Sequence, residues 1–302
     1  MKSNHHTGDE RTVPMIQFVT SMLIFGTIGL FRRYISLPSG CLTFARGLLG
    51  ALSLIIFVKL KGGRVFRHVG TRDLVWMIAT GALMGGDWIM LFEAYNHTTI
   101  AAATLCYYMQ PIIVLLLSPL FFKERLTAKK LVCACVAVTG MVLVSGVTES
   151  GAWQSAHMRG ILLGLGAALL YAGFVIINKK ISGVDACQRA VIQLLAAAGV
   201  MIPYLLLSSD LGKVSFDPLS VVLLFVVGIV HTGVAYVLYF RGVERLKAQT
   251  IALFSYIDPV SALLFSALLL HESLSAAGLA GAVMILGAAV ASEIERKKRI
   301  QS

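Results

Sequence analysis

Residues 105–134 read LCYYMQPIIVLLLSPLFFKERLTAKKLVCA and are repeated 148 residues later, at residues 253–282, as LFSYIDPVSALLFSALLLHESLSAAGLAGA. Twelve of these 30 positions are identical, including the pairs Tyr108/Tyr256, Pro111/Pro259 and Glu124/Glu272. Leucine and alanine inflate any comparison of apolar segments, but matched Tyr, Pro and Glu at fixed spacing are harder to obtain by chance. We therefore predict that the chain consists of two copies of one unit, residues 1–150 and residues 151–302.

The composition of the chain excludes most ordinary soluble folds. Apolar residues make up 57% of the 302 residues and charged residues only 14%, against about 25% charged in typical globular proteins. The mean hydropathy is +0.82. A net charge of +11 would suit a nucleic-acid-binding protein, but here Lys and Arg lie between long apolar runs, so we expect no nucleic-acid partner. The composition predicts an integral membrane protein.

A helix needs about 20 mostly apolar residues to cross a bilayer. The sequence contains ten such stretches, and we therefore predict an all-α membrane fold with ten transmembrane helices, five in each copy. The predicted spans are residues 14–31, 40–58, 74–95, 99–122, 131–147, 160–178, 186–207, 219–240, 248–270 and 276–292.

The positions of Lys and Arg predict how these spans are oriented. With the N-terminus in the cytoplasm, 21 of these residues fall in inside segments and 4 in outside connections. Cytoplasmic loops carry such an excess, so both termini are predicted to be cytoplasmic, with the chain in the cell (inner) membrane. Because five spans is an odd number, the second copy is predicted to be inverted relative to the first. Inverted repeats are the architecture of alternating-access transporters.

The motifs at the end of the fourth and ninth spans carry a family resemblance. Each copy has a proline followed thirteen residues later by a glutamate, in Tyr108-Met109-Gln110-Pro111 to Glu124 and in Tyr256-Ile257-Asp258-Pro259 to Glu272. Together with ten spans in two units, this pattern resembles the EamA family of the drug/metabolite transporter superfamily. The first span has Phe25-Gly26 where that family often has Trp-Gly. The resemblance implies a carrier of small molecules, often an exporter of amino acids or related metabolites.

Four ionisable side chains lie well inside predicted spans. A carboxylate near the bilayer centre costs roughly 2.5–3.5 kcal/mol unless it is paired or wetted, so Asp87 and Asp258 are candidates for binding substrate or carrying a proton. A structural ion pair with Arg46 is the alternative for Asp258. Arg46 itself needs a counter-charge or a substrate carboxylate. His231 would suit a proton relay, although most buried histidines are simply hydrogen-bonded core residues.

Two prolines and their neighbours complete the predicted site. Pro111 and Pro259 each remove a helical hydrogen bond and predict a kink or local unwinding, while Glu124 and Glu272 are predicted to organise the following hairpin or to act as gating residues. Aromatic side chains nearby could line a pocket, although aromatics also pack helices. The predicted substrate-binding residues are Arg46, Asp87, Trp88, Tyr107, Tyr108, Gln110, Tyr171, Tyr256 and Asp258.

The sequence thus favours a secondary active transporter of a small organic metabolite, an amino acid or related compound, acting as a proton-coupled exporter. An uncoupled facilitator or exchanger of a zwitterionic, cationic or nucleotide-linked metabolite is the alternative. An intramembrane enzyme would need clustered catalytic residues, which we do not find, so we predict no enzyme activity, no cofactor and no metal. The expected partners are a small-molecule substrate and membrane lipid, and a homodimer is an open alternative to a monomer.

Overall fold

The computed structural model describes residues 9–32, 34–64, 69–98, 100–144, 158–208, 211–214, 217–270 and 275–298. These residues are helical apart from short turns and connections. The helices are α1 (Asp9–Gly26), α2 (Ile28–Arg32), α3 (Ser39–Leu60), α4 (Thr71–His97), α5 (Ile100–Tyr107), α6 (Gln110–Phe122), α7 (Ala128–Val144), α8 (Met158–Lys180), α9 (Ala186–Leu207), α10 (Pro218–Val226), a π-helix (Val227–Val234), α11 (Ala235–Arg245), α12 (Ala248–Phe254), α13 (Ile257–Leu270) and α14 (Ala276–Lys298).

Eight helical segments of the described chain are long and apolar enough to cross a membrane. They correspond to the predicted spans one to four and six to nine, which confirms a multi-pass, all-helical membrane protein. The fifth and tenth spans are shorter, because α7 has 17 residues and the apolar part of α14 covers Ala276–Ser292. Seventeen residues lie at the lower limit of about 17–25 for a transmembrane helix, so the count of ten stays a prediction.

The fourth and ninth spans are interrupted at the same position in both copies. The fourth span divides into α5 and α6 around Tyr108, and the ninth divides into α12 and α13 around Tyr256, 148 residues later. A proline follows each break, and its missing N–H cannot bond the carbonyl one turn earlier. The two breaks lie just before Pro111 and Pro259, and the role of these prolines in a kink or a gate stays a prediction.

Each contact between a helix of one copy and a helix of the other has an equivalent contact in which the two copies have changed roles. The third span, α4, packs on the sixth, α8, and the first span, α1, packs on α11 of the eighth. The second span packs on the seventh, α3 on α9, and the fifth on the tenth, α7 on α14. The copies are thus interleaved rather than side by side, and the broken helices α6 and α12 meet between them.

The close approach of α1 to α13 depends on Gly26. A Cβ atom at this position would lie 2.8 Å from the backbone oxygen of Asp258 and would also clash with Oγ of Ser261. The first of these is a backbone atom of a helix, which can move only if the whole helix shifts. Gly26, in the Phe25-Gly26 pair of the first span, therefore brings the first span against the helix that carries Asp258.

We predict that Gly26→Ala destabilises the protein by about 1–3 kcal/mol, the usual cost of overpacking. The measurement is the thermal unfolding midpoint of the purified protein in detergent. Gly29→Ala is the matched control, because nothing lies within 4 Å of the Cβ it would add, and it should leave the midpoint unchanged or slightly raised. Equal effects of the two substitutions would contradict this account of Gly26.

The connection after the first span is tied to the start of the eighth. Asp217 caps α10 by accepting the backbone N–H of Ser220 at 2.8 Å, and its other oxygen accepts the Ser36 hydroxyl at 2.5 Å. The backbone N–H of Ser36 in turn donates to Ser220 Oγ at 2.9 Å. The side-chain hydrogen bonds from Ser220 and Ser36 lower the pKa of Asp217 from its ordinary 3.8 to about 2. These bonds join the two copies at the beginning of the eighth predicted span.

The stabilisation of the fold by Asp217 should therefore be lost at acid pH. A carboxylate with a lowered pKa stabilises the fold fully above its unfolded value, and this stabilisation disappears as the pH falls through the folded value. The difference in unfolding midpoint between the wild type and Asp217→Asn should stay constant from pH 7 to about 4 and shrink between about 4 and 2. A difference that does not change over that window would show that the Ser36 and Ser220 contacts are not made to the ionised form.

Candidate functional site

The structure places Arg46 and the Asp87–Trp88 pair together between α3 and α4. The guanidinium carbon of Arg46 lies 4.7 Å from the centre of the Trp88 ring, which is the geometry of a cation–π contact. Asp87 is within electrostatic range of Arg46. Sequence alone left open whether Arg46 pairs with a carboxylate of the protein, and the described contact is with the indole ring instead.

Asp87 is buried without a hydrogen-bond partner. Its side chain has 0% exposure, and neither carboxylate oxygen has a partner among the described residues. The Nε atom of Arg46 is likewise buried and unpartnered. An uncompensated buried charge is costly, so Asp87 is either neutral or needs a positive group nearby, which can be Arg46 or a cation of a bound ligand. Such a pair of opposite, unsatisfied groups is unusual for a structural core and suits a binding site.

A connected set of tyrosines extends from this pair across both copies. The Tyr107 ring lies 5.7 Å from that of Tyr108 and 6.1 Å from that of Tyr171, both edge-on. The Tyr171 hydroxyl donates to the Tyr239 hydroxyl at 3.4 Å. Tyr107 is also within electrostatic range of Asp87. The predicted aromatic residues of α4, α5 and α8 are therefore brought together, with rings that could hold an apolar group and hydroxyls that could bind a polar one.

The two helix breaks contact each other beside Asp258. Tyr108 donates its hydroxyl to Oδ2 of Asp258 at 3.4 Å, and Tyr256 donates its hydroxyl to the backbone carbonyl of Tyr108 at 3.0 Å. Asp258 lies in the first turn of α13, where the helix dipole favours a negative charge. Gln110, its counterpart in the first copy, is buried with an unpartnered side-chain oxygen. Two copies with matching sequences therefore make different contacts at the breaks.

Sequence reasoning missed three aromatic residues of the cluster. Tyr236 and Tyr239 of α11 contact each other with ring centres 6.1 Å apart, and Phe25 of α1 lies 5.3 Å from Tyr236. Their spacing places Tyr236 and Tyr239 on one helix face, because residues three apart are neighbours on a helix. That spacing could have indicated an aromatic face on this helix. It does not indicate which other helix the face contacts.

His231 lies in the π-helix of the eighth span. Its Nε2 is 2.8 Å from the Thr27 hydroxyl, its ring meets that of Phe31 edge-on at 4.6 Å, and its Nδ1 is buried without a partner. Short π-helical stretches are frequent at functional sites. His231 therefore joins the turn between α1 and α2 to the second copy, and it is within electrostatic range of Arg46. Its predicted part in proton transfer stays a prediction.

Glu124 holds the beginning of α12. Its two carboxylate oxygens accept the backbone N–H groups of Ala248 at 3.1 Å and of Gln249 at 3.3 Å. This contact joins the end of the fourth span to the start of the ninth, which suits the predicted gating residue. Glu272, its counterpart, lies outside the described residues. In the described part of the chain, no group of three or more His, Cys, Asp or Glu side chains could hold a metal ion.

Comparison with known proteins identifies the family of this chain. The EamA-like transporter family matches residues 12–146 and again residues 158–292. The chain belongs to the EamA-like transporter family. The predicted resemblance is confirmed, and the protein is an EamA transporter with two copies of the family unit.

Several relatives of this EamA transporter carry transporter names. Transporter YxxF of Bacillus subtilis is 27% identical over 84% of this chain and 81% of its own length. A transporter of Archaeoglobus fulgidus is 26% identical, covering 89% of this chain and 92% of that protein. Protein RarD of Escherichia coli is 26% identical over 63% of this chain and 62% of RarD. A solved crystal structure matches with a TM-score of 0.82 and 21% identity, over 94% of this chain and 99% of that one, and this likeness shows the fold.

We predict that removing two buried charges of this EamA transporter, Arg189 and Asp87, has different effects on its stability. Arg189 has 0% exposure, and it donates to the carbonyls of Asn178 at 3.4 Å and Ile181 at 2.9 Å. Arg189→Met would leave these acceptors unsatisfied, at a cost of about 1–3 kcal/mol. Asp87→Asn removes a buried charge that accepts no hydrogen bond from the described residues, so the unfolding midpoint should stay the same or rise. A large loss of stability in Asp87→Asn would show that Asp87 has a structural partner.

Proposed function

We propose that this EamA transporter is a secondary active carrier of a small amphipathic metabolite that bears a carboxylate, such as an amino acid or a related compound. The observation that carries the proposal is the buried carboxylate of Asp87, which has no hydrogen-bond partner among the described residues, close to Arg46, whose Nε is also buried and unpartnered, and beside a set of tyrosines. A guanidinium stays charged and matches a carboxylate with two parallel hydrogen bonds. Asp87 then accepts an ammonium group of the substrate or a proton.

The tyrosines supply the remainder of the proposed binding site. Rings of Tyr107, Tyr171 and Tyr239 come from both copies, so a substrate between them would contact both units at once. Binding pockets for small molecules combine such apolar surfaces with a few placed polar groups. The aromatic set supports an apolar substrate side chain, while Arg46 and Asp87 support its charged end. The rings of this aromatic set also pack α8 against α11. We therefore propose that the substrate binds to side chains that are held in place by the helix packing.

Proton coupling is proposed to use Asp87 and Asp258. A central carboxylate is costly when charged and alone, so loss of a substrate ammonium from Asp87 favours uptake of a proton there. Asp258 lies at the interface of the two breaks, where Tyr108 of the other copy donates to it. Movement of one copy relative to the other would change that hydrogen bond and so the affinity of Asp258 for a proton. Exchange of proton for substrate follows from these two steps.

The transport cycle that we propose is alternating access between the two inverted copies. Both termini would lie in the cytoplasm, and the protein would act in the inner membrane, alone or as a homodimer, surrounded by lipid. The resemblance in sequence supports export as the direction. The relatives' names give no support to an intramembrane enzyme, since YxxF and the Archaeoglobus protein are both called transporters.

Transport by purified protein in liposomes tests this proposal. We expect radiolabelled neutral amino acids to move against their gradient when a pH gradient is imposed, with saturation and counterflow. Arg46→Gln should raise KM about tenfold to a hundredfold, since a hydrogen bond to a charged group contributes about 1.5–3 kcal/mol. Asp258→Asn should lose gradient-driven accumulation and keep exchange, and Gly29→Ala serves as the control with ordinary activity.

Three results distinguish the alternatives. Counterflow that ignores the pH gradient and the voltage would overturn proton coupling and establish the uncoupled exchanger. An Arg46→Gln variant with an unchanged KM for substrates that carry a carboxylate would overturn the assignment of Arg46. Flux without saturation or counterflow would overturn the carrier itself and indicate a channel.

A further inference from the structure

A basic cavity lies at the predicted cytoplasmic end of the molecule, where the two copies meet. Its volume is about 910 Å³, within the range of roughly 300–1,000 Å³ for small-molecule sites. The first copy contributes Lys123, Arg125, Lys129 and Lys130, from the connection between α6 and α7 and the start of α7. The second copy contributes three more cations, Lys179, Arg245 and Lys247. We call this space the basic cavity.

The basic cavity concentrates far more positive than negative charge. Among its described lining residues, seven are basic and only Glu124 is acidic. The carboxylate of Glu124 already accepts two backbone N–H groups. Lys130 donates to the amide oxygen of Gln249, and Lys179 donates to the carbonyls of Val243 at 3.1 Å and Glu244 at 3.3 Å. These acceptors are amide oxygens, and they orient the two ammonium groups at the edge of the cavity.

Topology explains why this end of the molecule is basic, but it does not explain why the cations line one cavity. Positive loops need only be cytoplasmic, and cations spread over the surface would repel each other less than cations that share one space. Lys59, in the last turn of α3, and Arg64, in the connection after it, are exposed and meet the topological requirement at the same predicted end. Neither lines the cavity. The concentration at the interface of the copies therefore calls for an anion.

The chemistry of the lining points to phosphate groups. Lys and Arg bind phosphate oxygens through charge-assisted hydrogen bonds, and several cations around a large space suit more than one phosphate charge. The neighbouring faces of α6 and α7 expose Leu120 and Val132, as expected for lipid-facing helices. An anionic phospholipid headgroup can therefore reach the cavity from the membrane, and a soluble phosphate compound can reach it from the cytoplasm. Both sources present the same chemistry.

We propose that the basic cavity is a binding site for a polyanion with two or more phosphate charges, and that the bound anion holds the two copies together at this end. The cations that would bind it come from both copies, and the same copies are joined here by Glu124 on Ala248 and Gln249 and by the 2.8 Å bond from Gln249 Nε2 to Ser118 Oγ. Separation of α12 from Glu124 would divide the cation set. Anion binding therefore favours the conformation in which this contact is closed, whatever substrate is carried.

Binding of defined probes to the delipidated, detergent-purified protein tests the proposal. The probes are tetraoleoyl cardiolipin, inorganic pyrophosphate and, as a lipid without net charge, dioleoyl phosphatidylcholine. We expect cardiolipin or pyrophosphate to raise the unfolding midpoint in a saturable way, as ligands of the folded state do, and phosphatidylcholine to have no such effect. Native mass spectrometry counts the bound molecules, with one expected per chain at low probe concentration.

Paired charge removals locate the site. Arg125→Gln with Lys247→Gln removes one cation from each copy and should weaken binding about tenfold or more, since each basic residue near anionic groups contributes about 1 kcal/mol. Lys59→Gln with Arg64→Gln removes the same charge at the same predicted end outside the cavity and should change the dissociation constant less than twofold. Arg125→Lys with Lys247→Arg keeps the charge, should retain binding, and provides a folded comparison if the first pair is unstable.

Hydrogen exchange tests the effect on the contact between the copies. The amides of Ala248 and Gln249 donate to Glu124, so their exchange should slow when the effective probe is added to the wild type. Saturable binding of cardiolipin alone assigns the lipid source, and binding of pyrophosphate in the absence of lipid assigns the soluble source. The site is overturned if neither probe binds, or if both pairs of Gln substitutions weaken binding equally. Unchanged exchange of the two amides on binding would overturn the effect on closure.

Discussion

Backbone groups that lie in lipid must find partners within the protein, and this constraint decides how the two copies are joined. Pro111 and Pro259 interrupt the fourth and ninth spans, which frees carbonyls in the middle of the molecule. Pro111 leaves the carbonyl of Tyr107 without a helical donor, and the adjacent carbonyl of Tyr108 accepts the Tyr256 hydroxyl across the copies at 3.0 Å. A backbone carbonyl at the break of the first copy thus receives its hydrogen bond from a side chain at the break of the second copy.

The contacts at the two breaks are not symmetric, although the two sequences are related. Tyr256 donates to a backbone carbonyl, whereas its counterpart Tyr108 donates to the carboxylate of Asp258. The counterpart of Asp258 is Gln110, whose side-chain oxygen is buried without a described partner. This asymmetry coincides with a difference in the residue that precedes each proline, which is an amide in the first copy and a carboxylate in the second.

Sequence reasoning could identify the repeated unit and the breaks, because both are local. A proline in an apolar stretch interrupts a helix wherever that helix packs, and a shift of 148 residues aligns the prolines without knowledge of the fold. The residues that each helix face contacts could not be predicted in this way, because they depend on how the helices pack. Arg46 and Arg189 are both arginines in apolar stretches, yet Arg189 binds the carbonyls at the end of α8 while Arg46 faces Trp88. Tyr236 and Tyr239 were missed for the same reason, since their role depends on α11 packing against α1.

The short helix α12 runs from the basic cavity to the helix break beside Asp258. It begins at Ala248, where Glu124 binds its first amides beside the basic cavity, and ends at Phe254, next to the break that carries Tyr256. Seven residues of α-helix rise only about 10 Å, and six of them, all except Phe254, are buried. A helix so short and so tightly packed moves as a unit. We therefore expect that a displacement of its start from Glu124 would also move the Tyr256–Tyr108 hydrogen bond, so that the contact between the copies at the predicted cytoplasmic end would influence the geometry around Asp258.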